Sequence, residues 1–365
     1  MHLSRLWLTD FRSWPAAEVE FAPGLTALLG ANGNGKTNLM EAIGYLATLS
    51  SFRGAPNDAL VRQGCDTAIV RAEGERDGRA LLVEAELSTR GRGRVQVNRQ
   101  RLARTRDLLG ALRVSVFAPD DLELVKGGPA ERRRYLDDAI VARRPSLDGL
   151  RADVERILRQ RNALLRQAGG RLTPDVEASL VVWDAKFAEA GDRLAEARVR
   201  LVDDLGPALA LAYEQVAGRA VTITAHYDAP WRATGLAAAL DAGRRDDLRR
   251  GASLVGPHRD DLVLTIAGLP SRTHASQGEQ RSLALALRLA AHRVVADSTG
   301  APPILLLDDV FSELDPERSA ALLAHLPPGQ TVLSSAAGLP PGARPELVLD
   351  VADGRIARRA DTGGH

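Results

Sequence analysis

The chain has 365 residues, enough for two domains or for one domain with an insertion, and its apolar and charged fractions are those of a soluble globular protein. A net charge of +1 means that any nucleic-acid or acidic partner has to be met by a local basic face, not by the whole molecule. The single cysteine, Cys65, excludes an internal disulfide framework, the opening MHLSRLWLTDFRSW lacks a signal-like apolar run, and no stretch nears the ~20 apolar residues of a membrane span, so a cytoplasmic chain without a membrane partner is expected.

The first 120 residues read as strand-rich with one helix. Short apolar or alternating runs at 3–8, 19–21, 25–29, 68–72 and 81–87 are broken by glycines and charged turns. The run 25–29 is continuously apolar, as in a strand buried on both faces, and a helical pattern follows over 37–49. From Glu131 to about Gly218 the apolar residues recur at helical spacing. One series runs from Leu150 to Leu165 and closes at Gly169-Gly170; the next runs from Val176 to Leu205 and opens on Thr173-Pro174, an N-cap followed by proline. Two long amphipathic helices in succession predict an antiparallel helical insertion packed on itself. Beyond it, strands are predicted at 221–226, 262–266, 304–307, 331–335 and 347–351, and helices at 275–295 and 315–326.

Gly30-Ala31-Asn32-Gly33-Asn34-Gly35-Lys36-Thr37 fits G-x-x-x-x-G-K-[ST] at every fixed position, with an apolar strand before it and a helix after it. Such a loop captures anions: small residues let the backbone wrap phosphates, and successive N–H groups converge at a helix N-terminus. Lys36 is expected to reach the β- and γ-phosphates of ATP, and Thr37 to ligate Mg²⁺. The chain's other lysines are Lys126 and Lys186 in a composition otherwise given over to arginine, which adds weight to Lys36. Four aliphatics, 304–307, deliver Asp308-Asp309 to the end of a predicted strand. Asp308 would hold Mg²⁺ and Asp309 would orient or deprotonate the attacking water. A turn or N-cap aspartate is the plainer reading of either alone, but phosphoryl transfer needs both a cradle and a metal carboxylate.

Ser276-Gln277-Gly278-Glu279-Gln280 opens a helix and resembles the signature motif of ABC ATPases, while Ser312-Glu313-Leu314-Asp315 resembles their D-loop. In that class the signature of one subunit caps the ATP held by another. Within it, the chain resembles the RecF family of bacterial recombination mediators through LTDFR from Leu8, GANGNGKTNLMEAI from Gly30 and GGPAERRRYLD from Gly127. The likeness continues through GPHRDDL from Gly256, SQGEQRSLALALRLA from Ser276 and LLLDDVFSELD from Leu305. The strings follow in family order from Leu8 to Asp315. The resemblance implies an α/β fold, an ABC-type P-loop ATPase head of mixed sheet and flanking helices with an inserted helical domain. The head would comprise 1–120 and 251–365, and the insertion 121–250. It implies a slow, Mg-dependent, DNA-stimulated ATPase that forms an ATP-dependent homodimer. It also implies binding to duplex DNA near single-strand gaps, and work with RecR and RecO in loading the recombinase RecA. A transporter subunit or an SMC-type structural ATPase is the alternative. The long helical interval between Thr37 and Ser276 tells against the first, and the shortness of that interval as a coiled coil tells against the second. A nucleotide-sensing scaffold without hydrolysis stays open.

Two features depart from the wider ABC pattern. Ser334-Ser335 stand where many such proteins carry a phosphate-sensing histidine, and the base position holds Asp309 instead of glutamate. His258 and Arg259 admit either local hydrogen bonding, the commoner fate of a histidine beside proline, or a place near the nucleotide or dimer interface. For DNA, the densest basic run comprises Arg90, Arg92, Arg94, Arg99, Arg101, Arg104 and Arg106 around a predicted hairpin turn at Asn98. A second cluster includes Arg132, Arg133, Arg134, Arg143 and Arg144. Phosphate contact is one reading of both and a solvated arginine-rich face is the other. The scarcity of interleaved aromatics favours duplex backbone over stacked single strands.

Overall fold

The computed structural model describes residues 1–91 and 93–359. The chain divides into two compact units: Met1–Leu122, Ala208–Val221 and Gln277–His365 form the first, Glu123–Pro207 and Thr222–Ser276 the second. By packing, 208–221 thus belongs with the first unit and 251–276 with the second, although both lie across the expected boundaries.

The first unit holds two six-stranded sheets. One is antiparallel, in the spatial order Trp14–Glu20, His2–Phe11, Thr67–Arg76, Arg79–Ser88, Arg94–Val97, Gln100–Arg101. The other runs Arg355–Arg358, Leu347–Ala352, Leu25–Leu29, Thr331–Ser335, Ile304–Asp308, Val114–Phe117, parallel throughout except at its Arg355–Arg358 edge. Leu25–Leu29 occupies the interior of this sheet, as its unbroken apolar run requires. The helix Lys36–Thr48 touches strands of both sheets and is buried almost all round, with Leu39, Met40, Ile43 and Leu46 wholly inside one shared core. Gln330 pins the layers together: its buried side chain accepts from Leu3 N–H and donates to the carbonyls of Leu3 and Ala22, each at 2.7 Å.

The second unit packs the helices Pro129–Arg143, Asp148–Ala168 and Leu236–Arg250, and residues 174–207 of the helix Pro174–Ala217, with a three-stranded antiparallel sheet of Leu269–Pro270, Asp261–Ile266 and Ile223–Asp228. The predicted helical pair is present, and Thr173 Oγ1 caps the second member by accepting from Val176 N–H at 3.4 Å. That helix continues twelve residues past the predicted end at Leu205, with Pro207 inside it. Buried arginines bind the unit. Arg198 is bidentate to Asp137 at 2.8 and 2.9 Å, and Arg161, fully buried, reaches Asp184 at 2.6 Å and both Asp247 and Ser253 at 2.7 Å. Removing Asp137 would strand the buried charge of Arg198. Among the described residues no helix is long and apolar enough to cross a membrane.

Candidate functional site

The strand Leu25–Leu29 delivers the chain into the loop 30–37, and the helix Lys36–Thr48 begins at its far side. Gly30, Gly33 and Gly35 all hold positive φ, at 155°, 87° and 91°. A Cβ at Gly30 would lie 2.1 Å from the Val351 carbonyl and one at Gly35 2.8 Å from Trp14 Nε1, so glycine is required at both for reasons of space as well as angle. The loop is braced from several sides. Gly30 N–H donates to the Ser335 carbonyl at 3.3 Å, Asn34 Nδ2 to the Val351 carbonyl at 2.9 Å, and Trp14 Nε1 to the Gly35 carbonyl at 3.1 Å. No acidic residue stands in the helix's first turn, so its positive end is left for an anion.

Lys36 is buried, and its ammonium donates to the carbonyls of Gly30 at 2.6 Å and Ala31 at 3.0 Å. Burial draws it below its ordinary pKa, while the nearby carboxylates of Asp309 and Asp308 act the other way. Thr37 Oγ1 donates to Asp308 Oδ1 at 3.0 Å, so the two ends of the sequence motif meet. Ser334 Oγ donates to the same oxygen at 2.7 Å and accepts from Asp309 N–H at 3.0 Å. Burial pushes the Asp308 carboxyl above the usual range, with the hydrogen bonds from Ser334 and Thr37 opposing and the Asp309 charge adding to the rise. Asp309 stands at φ 50°, a strained angle for a non-glycine residue, and its Oδ1 accepts from Ala336 N–H at 3.4 Å.

The donor set fits a magnesium nucleotide. Among the described residues no group of three or more His, Cys, Asp or Glu assembles a metal cage. A hydroxyl and a carboxylate in hydrogen-bond contact suit a cation that keeps waters and completes its shell with phosphate oxygens. Thr37 and Asp308 would hold it, and Lys36 with the loop amides would take the phosphates.

The signature-like residues lie at the start of the helix Gln277–Thr299. Gln277, Gly278, Glu279 and Gln280 fall in the first unit, while Ser276 closes the second. Glu279 pairs with Arg219, and Gly278 lies against Arg318. His258 makes local contacts. Its Nε2 lies 3.0 Å from the Ser253 carbonyl, its ring is 5.9 Å from that of Phe187, and burial lowers its pKa to about 4. Arg259 reaches the same carbonyl at 3.3 Å, while Asp260 accepts from Tyr227 and from Trp231 Nε1 at 2.7 Å.

The arginine candidates separate. Arg94, Arg99 and Arg101 are exposed on the hairpin Arg94–Arg101, and Arg92 lies outside the described residues. Asn98 and Arg99 hold φ 49° and 65°, which makes the predicted turn. In the second cluster Arg133 is turned inward, donating to the Asp260 carbonyl at 2.8 Å, and Arg132 is buried and bidentate to Asp261 at 2.7 and 2.8 Å. Arg133 is half-buried, and Arg134 is exposed. Sequence reasoning missed Trp14 and the bidentate pair of Arg12 with the fully buried Glu41, both contacts at 2.8 Å. The tryptophan inside LTDFRSW, beside a glycine-rich loop, was the available signal.

With known proteins, the RecF/RecN/SMC N terminal domain family matches residues 2–331. A DNA replication and repair protein RecF from Kineococcus radiotolerans is 45% identical, over 92% of this chain and 93% of the relative. A solved structure of the recombination mediator protein RecF-ATP in the RecFOR pathway superposes with a TM-score of 0.90 at 28% identity, covering 98% of each chain. An SmcHead bound to the C-winged helix domain of ScpA has a TM-score of 0.59 at 16% identity over 99% of this chain and 98% of its own, a likeness of fold.

Proposed function

The chain belongs to the RecF family of DNA replication and repair proteins, built on an ABC- and SMC-type ATPase fold, and from that premise we propose that it is an ATP-switched DNA clamp. The observation that carries the proposal is the 3.0 Å bond from Thr37 Oγ1 to Asp308 Oδ1, which joins the phosphate-type loop to the carboxylate at the end of the strand Ile304–Asp308. Lys36, which donates to two loop carbonyls, would take the β- and γ-phosphates, and Thr37 and Asp308 would hold Mg²⁺. A cation held there would supply positive charge to the phosphates. Asp309, held by Ser334 and Ala336, orients water at the γ-phosphate, and its reach, one methylene shorter than glutamate's, suits slow, DNA-stimulated turnover. Ser334 takes the phosphate-sensing place.

The turn at Ser276, Gln277, Gly278, Glu279 and Gln280 offers N–H groups at a helix N-terminus to the nucleotide of a second copy, so ATP bridges a homodimer. Arg94, Arg99 and Arg101 contact the backbone of duplex DNA near single-strand gaps, where the chain works with RecR and RecO to load recombinase. Such work belongs in the cytoplasm.

Self-association and duplex binding of the purified chain, measured with ATP, with ADP and after Lys36→Arg, test this reading. ATP should drive dimerisation and tighten DNA binding about 10-fold or more, with ADP and the variant failing to do so. Equal behaviour under all three conditions refutes the clamp.

A further inference from the structure

Three arginines surround the first turn of the helix Gln277–Thr299, and two of them tie it to the segment that follows Asp309. Arg281 donates from Nη1 to the Glu313 carbonyl at 2.8 Å, and its Nη2 pairs with the Glu313 carboxylate at 2.6 Å. Arg318 pairs with Asp315 and donates from Nε to Ser282 Oγ at 3.1 Å. It also lies so close to the turn that a Cβ at Gly278 would stand 3.0 Å from its Nη2. A side chain at 278 would press on this guanidinium. Arg219, just beyond the helix Pro174–Ala217, pairs with Glu279.

The path back to the phosphate site has little slack. Val310–Glu313 forms a single 3-10 turn starting from Asp309, whose carbonyl accepts from Ser312 N–H at 3.3 Å and from Ser312 Oγ at 2.7 Å. Asp315 then caps the helix Pro316–Ala324 by accepting from Arg318 N–H at 2.8 Å. Contacts thus run from Asp309 to Glu313 and Asp315, and through Arg281 and Arg318 to the turn 277–279. None of these groups belongs to the phosphate cradle itself.

We propose that Arg281 and Arg318 are positioning residues that lock the turn 277–279 to the segment 312–315, so that the condition of a chain's own Asp308–Asp309 site sets the face it offers to the nucleotide of a second copy. The proposal rests on the ATP-bridged dimer described above. In such a dimer each chain caps its partner's nucleotide with a turn governed by its own, and the two sites become cooperative. A contiguous set of ion pairs and a rigid turn is the kind of connection that carries such coupling.

Nucleotide affinity of the dilute chain, read with a fluorescent ATP analogue, and ATP-dependent dimerisation are measured in parallel for the wild type, Arg281→Ala, Arg318→Ala and Arg281→Lys. Both alanine variants should bind nucleotide within about 2-fold of wild type, yet need about 10-fold more ATP for half-dimerisation and lose sigmoidal ATP dependence of hydrolysis. Arg281→Lys keeps a donor for the Glu313 carbonyl and should recover most of the loss. Arg281 is the deciding position, because its side chain is 38% exposed and its removal leaves the core intact. The lock is overturned if the alanine variants dimerise like wild type, or if they lose monomer affinity as much as dimerisation. A wild type that ignores ATP sinks the dimer reading as well, whereas a responsive wild type with indifferent variants sinks the lock alone.

Discussion

At Asp308 a carboxylate only 4% exposed sits between the hydroxyls of Thr37 and Ser334, and burial holds its proton more tightly than in an unfolded chain. A raised folded pKa stabilises the protein at low pH and ceases to do so as pH rises through it. Near neutrality the ionised group is thus a cost to the metal-free fold, offset when a cation arrives. Asp308→Asn should accordingly raise the melting temperature of the nucleotide-free chain at pH 7 by about 1–3 °C and abolish the further rise given by Mg-ATP. Thermal scans with and without Mg-ATP check this, and an asparagine variant that melts lower without ligand contradicts it. Lys36, Thr37 and Asp308 were legible because a short motif carries their geometry within itself. Trp14 and the Arg12–Glu41 pair were not, because their value to the loop arises only when distant strands pack around it.

Among the elements, the hairpin Arg94–Arg101 carries the clearest consequence for DNA. Three exposed arginines on this sheet-edge hairpin would make non-specific phosphate contacts, each releasing condensed counterions. Replacing Arg94, Arg99 and Arg101 together by alanine should weaken duplex binding evenly across sequences and reduce the slope of log affinity against log salt by about 2–3. Fluorescence anisotropy titrations at several salt concentrations decide it; an unchanged slope removes the hairpin from the interface. Elements with strong periodicity or turn chemistry were readable, including the two long helices, the strand Leu25–Leu29 and this hairpin. The helix Leu236–Arg250 escaped because its buried apolar positions are only Leu236, Leu240 and Leu248 in a run of alanine and charge. The strand Val114–Phe117 escaped because four residues at a sheet edge give too short an alternation to register.

Over the whole molecule, two buried histidines make the fold sensitive to acid. His292, on the helix Gln277–Thr299, is 1% exposed, neither ring nitrogen has a hydrogen-bond partner among the described residues, and burial lowers its pKa to about 4, as it does for His258. The unfolded chain takes up these protons near pH 6.5 and the folded chain only near pH 4, so stability is intact above the first value and erodes between the two. Each such histidine costs about 2 kcal/mol by pH 5, and His292→Leu should flatten that part of the loss in urea titrations at pH 7 and pH 5. Equal losses in wild type and variant would show that His292 is protonated while folded. Another property of the whole follows from the placing of Leu25–Leu29 between Thr331–Ser335 and Leu347–Ala352. On the ribosome this apolar strand emerges early and waits for both neighbours, about 15–60 s at ordinary rates of synthesis. Until then the phosphate loop has no sheet behind it. A fragment that stops before Thr331 lacks both neighbours of Leu25–Leu29 and should therefore fail to form the sheet that supports the phosphate loop.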